Sequence, residues 1–443
     1  MTLAGKQGYM ETSIGWLPSD WSATSFGSLL SEKPEYGANA SAEDFGGEGY
    51  VRYIRITDID ETGALIESNK KYLPSTVAKG YLLAENDLLI ARTGNTVGKS
   101  LLFRSHMGEC AFAGYLIRFR VGNALDCNFA SQTLRSDAYW AWVKSSSKVG
   151  AQPNINSQQY QSLMLPFPPL PEQQKIAAIL TAVDDKLDVI ARQITVIQTL
   201  KQGLMQTLFS RGVGIQDAAG CWVAHTEFKD SELGEIPKGW GVQPLGALAE
   251  SITVGIATST TEHYVENGVP LIRNQNIKED FLDMSDLLKV SPEFDQKNKR
   301  KRVMEGDILT VRTGYPGVSC VVPEGLGHLQ TFTTLITRLN RKLIDPNFAS
   351  RYFNSPQGKG LMLHQAAGGA QQNINAGNLK KLLVSVPPLV EQEQIAEILG
   401  AVDAKGCCLE NKKKYYQTLK RGLMQKLLTG EWRVKLDSPA SLA

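Results

Sequence analysis

Residues 168–210 read PPLPEQQKIAAILTAVDDKLDVIARQITVIQTLKQGLMQTLFS, and residues 387–429 read PPLVEQEQIAEILGAVDAKGCCLENKKKYYQTLKRGLMQKLLT. The second stretch repeats the first at an offset of 219 (387 − 168) without a gap, with about half of the positions identical. Apolar residues of the first copy fall at Ile176, Leu180, Val183, Leu187, Ile190, Ile194 and Ile197, in steps of four and three. That rhythm keeps one stripe on one helical face and predicts a coiled-coil seam. Leu204 and Leu208 resume it after Lys201, and the second copy repeats it as Ile395, Leu399, Val402, Leu409, Tyr416, Leu423 and Leu427, with Gly406 and Lys413 as weak rungs. Pro171 and Glu172 suit a first helical turn, where a missing donor costs nothing and a carboxylate meets the helix dipole. Two helices of roughly 37 residues would each span about 55 Å. Asp184, Asp185 and Asp188 read as a solvated helix face rather than acid–base machinery.

The repeat extends beyond the helices. Trp16-Leu-Pro-Ser-Asp-Trp21 matches Glu235-Ile-Pro-Lys-Gly-Trp240, and Asn128-Phe-Ala-Ser131 matches Asn347-Phe-Ala-Ser350, both at 219. Ile54-Arg55 matches Ile272-Arg273 at 218, and Ala91-Arg-Thr-Gly94 matches Val311-Arg-Thr-Gly314 at 220. Gly150-Ala-Gln-Pro-Asn-Ile-Asn156 matches Gly369-Ala-Gln-Gln-Asn-Ile-Asn375 at 219. The chain of 443 residues is therefore a tandem duplication with a pseudo-two-fold reading. Its parts are a globular domain at 1–166, a helix at 167–211, a linker at 212–233, a second globular domain at 234–386, a second helix at 387–432 and a loose tail at 433–443. Short strand-like runs at 50–56, 87–91 and 116–121 and a helix near 128–145 give each domain an α+β character without regular βαβ alternation. Residues 251–305 hardly resemble 30–85, which suggests two related but distinct binding tasks on one frame.

A net charge of +2 confines any nucleic-acid surface to local patches. The six cysteines form no CxxC pair and have no histidine at ligand spacing, which points to reduced thiols in the cytoplasm. No leader-like apolar segment opens the chain, and no run approaches the ~18 apolar residues of a membrane span. There is no GxSxG, no HExxH, no nucleotide-binding glycine fingerprint and no Asn-Pro-Pro-aromatic motif, so we expect neither a catalytic centre nor a cofactor or metal site in this chain.

Several motifs are candidates for binding. Gly94-Asn-Thr-Val-Gly-Lys-Ser100 is one residue short of a phosphate-binding loop, and its counterpart at 314–319 lacks the lysine. A strand-edge turn presenting Arg92, Asn95 and Lys99, or Arg312 and Tyr315, is the alternative. Lys297, Lys299, Arg300, Lys301 and Arg302 form a basic run that is either solvated surface or a phosphate contact. Asn154, Asn156, Asn373 and Asn375 can pair with adenine edges or make turn and capping bonds. Arg55 and Arg273, at the repeated Ile-Arg anchor within the divergent stretches, and the adjoining Asn274 complete the candidate DNA-binding set.

The two PPLxEQ…IAxIL…AVDxK…QTLKxGLMQxL stretches, the tryptophan-bounded openings and the two Arg-Thr-Gly turns together resemble the specificity (S) subunits of type I restriction–modification systems, over nearly the whole length. The resemblance implies two target recognition domains joined by two long antiparallel helices, each domain reading one half of a split, asymmetric site in double-stranded DNA. It implies helices that act as spacer and as docking platform for two methyltransferase (M) subunits, with motor–nuclease (R) subunits joining for cleavage. It also implies that this chain is not itself a catalyst, with S-adenosylmethionine, ATP and Mg held by the partner subunits. A spacer of about 55 Å, at 3.4 Å per base pair, covers roughly 13–16 base pairs. Gly406-Cys407-Cys408 replaces Leu187-Asp188-Val189 and is expected to weaken or kink the second helix. Two other readings remain: a coiled-coil scaffold that binds only proteins, and a nucleotide hydrolase dependent on Lys99.

Overall fold

The structure, a computed structural model, describes residues 5, 7–44, 46–147, 153–326, 328–366 and 373–436. Two continuous helices, Leu170–Arg211 with 42 residues and Leu389–Leu427 with 39, are its longest elements. At 1.5 Å per residue they extend about 63 and 58 Å, somewhat longer than the seam alone suggested. Both start directly after a double proline: the amides of Glu172 and Gln173 donate to the Pro169 carbonyl, and those of Glu391 and Gln392 to that of Pro388. Past their C-terminal ends stand Gly212 (φ +70°) and Gly430 (φ +69°), whose left-handed backbone is the usual exit from a helix. The break expected at Gly406 is absent. The helix runs through it, and a Cβ placed there would lie 3.7 Å from Ile197 Cγ2, so Gly406 faces the seam and is tolerated by it.

The chain forms two compact units, Met1–Ala191 with Asn411–Ala443, and Arg192–Glu410. Each unit therefore holds one globular domain, the N-terminal half of the long helix that follows it, and the C-terminal half of the other. In the first unit Ile176 and Leu180 share a core with Leu427 and Leu428, while Asp184 pairs with Lys420 at 2.6 Å. Residue numbers rise along one half-helix as they fall along its neighbour, so the pair is antiparallel. The second unit repeats this: Ile395 and Leu399 share a core with Met205 and Leu208, and Asp403 pairs with Lys201 at 2.6 Å. Of the seam residues, Ile176, Leu180, Val183, Ile190, Ile194, Ile395, Leu399 and Leu409 are buried, and Leu187, Ile197, Val402, Tyr416 and Leu423 half-buried. Their first rungs belong to the globular cores rather than to a helix–helix seam alone. Asp184 is not simply solvated, because Gln132 Nε2 donates to it at 2.8 Å in addition to Lys420.

Each domain is a mixed α+β body. In the first, a four-stranded antiparallel sheet runs in the order Glu35–Tyr36, Leu116–Phe119, Leu88–Ala91, Ser100–Leu102. The central strands are buried at every residue, which explains their continuous apolar sequence where a one-sided sheet would alternate. Beside it Tyr50–Ile54 pairs antiparallel with Tyr72–Pro74 and parallel with Cys110–Phe112. The second domain reproduces both sheets, as Ala249–Val254, Leu335–Leu339, Ile308–Thr310, Ser319–Val321 and as Leu288–Val290, Tyr264–Ile272, Gln330–Thr331.

Three further expectations need correction. The helix near 128–145 is two helices, Cys127–Thr133 and Asp137–Ser146, because Ser136 starts a new turn by accepting from the Tyr139 amide. The stretch 212–233 is no plain linker: Ile215–Gln216 pairs with Trp222–Val223, and the Val213 and Gly214 amides donate to Glu391. The tail is not loose at Arg433, which is bound to Asp20 and Glu172, while 437–443 lie outside the described residues. Among the described residues no helix is long and apolar enough to cross a membrane.

Candidate nucleic-acid interface

What could touch a ligand is set by how each domain is seated on its helix. Trp21 Nε1 donates to the buried carboxylate of Glu172 at 2.9 Å, and Trp240 Nε1 to that of Glu391 at 2.8 Å. Next along, the Gln173 side chain accepts from the Asp126 amide and donates to the Ala124 and Pro168 carbonyls. Gln392 makes the same three bonds with Asp345, Leu343 and Pro387. The Glu-Gln pair of each helix is thus the foundation of the domain before it. Only the remaining partners of the carboxylate differ: Arg433 beside Glu172, His225 and two backbone amides beside Glu391. Sequence reading assigned Glu172 only to the helix dipole; the signal it passed over is that tryptophan and glutamate are 151 residues apart in both halves.

On each seated domain the Arg-Thr-Gly turn reaches the surface. In the first domain the turn Gly94–Thr96 links two antiparallel strands, and no helix follows it, so it is a strand-edge turn and not a phosphate-binding loop. Lys99 is held by Glu61 at 2.8 Å and by the Ile59 carbonyl. The turn is stitched to the asparagine motif: Gly94 N–H donates to the Pro153 carbonyl, Ile155 N–H to that of Arg92, and Thr93 bridges Asn154. Arg92, with Nε on the Gly114 carbonyl, has its guanidinium 5.0 Å from the Tyr36 ring centre and 5.9 Å from that of Tyr115. Tyr36 and Tyr115 are 41% and 57% exposed, and Asn95 and Asn154 are exposed too. The result is an open patch of an arginine, two aromatic faces and two amides, chemistry suited to phosphates and base edges.

The second domain builds a different patch on the same frame. Arg312 Nε donates to Asn373 Oδ1 at 3.0 Å, Tyr315 O–H to the Asn274 carbonyl at 2.7 Å, and Asn274 Nδ2 to Thr313 at 3.3 Å. Desolvation raises the pKa of the Tyr315 phenol above its usual value. Arg312, Tyr315, Asn274 and Asn373 therefore form one linked set, where the first domain groups Arg92 with Tyr36 and Tyr115.

Most of the other candidates are committed elsewhere. Arg55 is paired with Asp58 at 2.7 Å, and Arg273 with Asp286 at 3.1 Å. Asn156 and Asn375 cap the helices Ser157–Gln161 and Ala376–Lys380. Residues 150–152 and 369–372 of that motif lie outside the described residues. Arg302 is tied to Asp295 and Gln296, whereas Lys297, Lys299 and Arg300 are exposed and Lys301 half-buried at the end of the helix Pro292–Lys297. Tyr36 and Tyr115 were not read from the sequence. Tyr36 lies in the divergent stretch, and Tyr115 adjoins a fully buried strand, so neither shows its exposure locally.

Comparison with known proteins fits this arrangement. Residues 18–199 and 237–420 match the family described as type I restriction modification DNA specificity domain, and the chain belongs to that family. It is 28% identical over 447 residues to the putative type I restriction enzyme MjaX specificity subunit of Methanocaldococcus jannaschii, covering 97% of this chain and 98% of that protein. It is 26% identical over 434 residues to the MjaVIII specificity subunit of the same organism, covering 95% and 94%. The crystal structure of an S subunit from M. genitalium shares the fold, with a TM-score of 0.59 at 16% identity over 92% of this chain and 96% of that one.

Proposed function

We propose that this chain is the DNA-sequence specificity subunit of a type I restriction–modification complex, in which each domain reads one half of a bipartite, asymmetric site. The observation that carries this is the pair of unlike patches, Arg92 with Tyr36, Tyr115 and Asn154, and Arg312 with Asn274, Tyr315 and Asn373, built on one repeated frame. An equal frame with unequal surface chemistry is what reading two different half-sites requires. Lys297, Lys299 and Arg300 supply sequence-independent phosphate contacts. The long helices are the spacer and the docking platform. Val196 (64% exposed) and Leu200 (47%) on the first helix recur at offset 219 as Tyr415 (65%) and Leu419 (36%) on the second, apolar and outside the seam. Two equivalent faces of this kind support two methyltransferase subunits, with motor–nuclease subunits joining the assembly. S-adenosylmethionine, ATP and Mg belong to those partners, and this chain supplies specificity rather than catalysis.

The test is to co-express the chain with methyltransferase subunits from its own gene cluster and map methylated bases. A bipartite motif should result, and replacing 234–386 with the corresponding domain of a relative should change one half of it. Changes in both halves, or methyl transfer by the chain alone, would overturn the reading. Stable partner binding without sequence-specific DNA binding would instead favour the protein-only scaffold.

A further inference from the structure

The first of the short helices between each divergent segment and the long helix is Cys127–Thr133 in the first domain and Pro346–Asn354 in the second. Both share Asn-Phe-Ala-Ser and then part company. The first continues Gln132 to Arg135, and the second, at the equivalent positions, Arg351 to Asn354. Each domain thus has one arginine here, displaced by a helical turn.

In the second unit Arg351 ion-pairs with Asp403 of the long helix and stands 3.8 Å from Asp280 Oδ2. Lys201 lies 2.6 Å from Asp403 and 3.9 Å from Asp280. Asp280 belongs to the divergent segment, has φ +56°, and accepts from Ser350 Oγ and Asn354 Nδ2 at 2.8 Å each. Burial raises its pKa, and the charge of Arg351 is the chief opposing influence. In the first unit Gln132 and Lys420 occupy the long-helix carboxylate, Asp184. Arg135 is half-buried and donates to Ser131 Oγ at 2.9 Å; desolvation lowers its pKa, and the charges of Asp184 and Asp60 oppose that. Asp60 lies in the matching turn of the first domain, and its Oδ1 holds that turn at Thr62 and Ala64. That turn rests on the arginine: a Cβ on Gly63 would meet Arg135 Nη2 at 2.7 Å.

Both halves therefore place a half-buried guanidinium, its Nε shielded from water, near an acid of the divergent segment and an acid of the long helix, but from different positions. Buried charge is a poor way to gain stability alone, since well-packed apolar residues serve as well. Its arrival by two routes at one place points to a task beyond packing. We propose that Arg135 and Arg351 are positioning residues that lock the turn of each base-reading segment to the long helices, and that the arginine can be supplied from either helical position. This rests on the DNA-reading function above.

The test compares Arg135→Asn with the relocated double variant Gln132→Arg/Arg135→Asn, each as full chain assembled with methyltransferase subunits. In the double variant the introduced asparagine can take the backbone bonds to Ser100 that Asn354 makes to its counterpart, Ser319. Arg135→Asn should raise methylation at sites mismatched in the first half-site by about ten-fold, within the discrimination of one base contact, and leave the second half unaffected. Hydrogen exchange at the Thr62 and Ala64 amides should accelerate in parallel. The double variant should restore both. An unchanged profile in Arg135→Asn, relaxation spread equally over both halves, or a double variant that folds without recovery would overturn the proposal. Should Arg135→Asn fail to fold, the double variant decides alone, because it must fold and read correctly. If the wild-type assembly marks no bipartite site, the parent reading fails, and amide exchange in the free chain still decides whether the arginine holds the turn.

Discussion

Removing Arg433 should destabilise the first unit far more than a surface arginine would. Its Nε and Nη2 lie 2.8 and 2.9 Å from the two oxygens of Glu172, and its Nη1 and Nη2 lie 2.9 and 2.7 Å from Asp20. Glu172 is 2% exposed, and Trp21 Nε1 is its other side-chain donor. Arg433→Ala leaves a buried carboxylate with one neutral donor, a change that costs about 3–5 kcal/mol. The arginine side chain is 42% exposed, so water covers part of the loss and the lower end, about 3 kcal/mol, is expected. For a unit of this size that lowers Tm by about 6–12 °C. Calorimetry of wild type, Arg433→Ala, Glu172→Gln and the double variant measures it. The double variant should recover much of the loss, because the substituted glutamine retains an acceptor for Trp21 and carries no charge to strand. A fall of less than about 2 °C for Arg433→Ala, or purely additive losses in the double variant, would refute the reasoning.

The same site sets a pH dependence. The hydrogen bond from Arg433, opposed by burial, holds Asp20 below its usual pKa, so its stabilisation is complete above about pH 4 and is lost as pH falls through the depressed value. The Tm difference between wild type and Arg433→Ala should accordingly narrow in that window. Gly406→Ala should stabilise the second helix by about 1 kcal/mol in urea unfolding, since its Cβ meets Ile197 at ordinary contact distance. Neutralising Lys297, Lys299 and Arg300 should weaken binding of the assembled complex to all DNA sequences alike and reduce the slope of log K against log salt by roughly 3, measured by fluorescence anisotropy. Tyr115→Ala, which takes one aromatic face from Arg92, should relax the first half-site in methylation mapping and leave the second unchanged.

The duplication and the seam were legible in the sequence because the repeat keeps register and the helical rhythm is local. Interactions between distant residues were less so. Lys201 looked like an interruption of the stripe, and it is one for a single helix; beside Asp403 it is an ion pair. Glu172 reads locally as a helix-start residue, and its tryptophan is 151 positions away. Gly406 suggested a break because propensity counts against glycine, yet Ile197 opposite makes it part of a packed seam. In the candidate interface, the Arg-Thr-Gly turns were visible as repeated words. The cage around Arg92 was not, because it joins three strands and depends on which side chains the sheet leaves in solvent.

The tryptophan and glutamate that seat the second domain, Trp240 and Glu391, stand on either side of the segment that differs from its twin. A genetic crossover that enters near the tryptophan codon and leaves near the glutamate codon imports a whole domain together with both contacts of its footing. The imported domain needs no refitting to the helix, since the same pair and the same glutamine bonds occur in both halves. Half-sites can then be reshuffled by recombination as units, and new target sequences arise in single inherited steps.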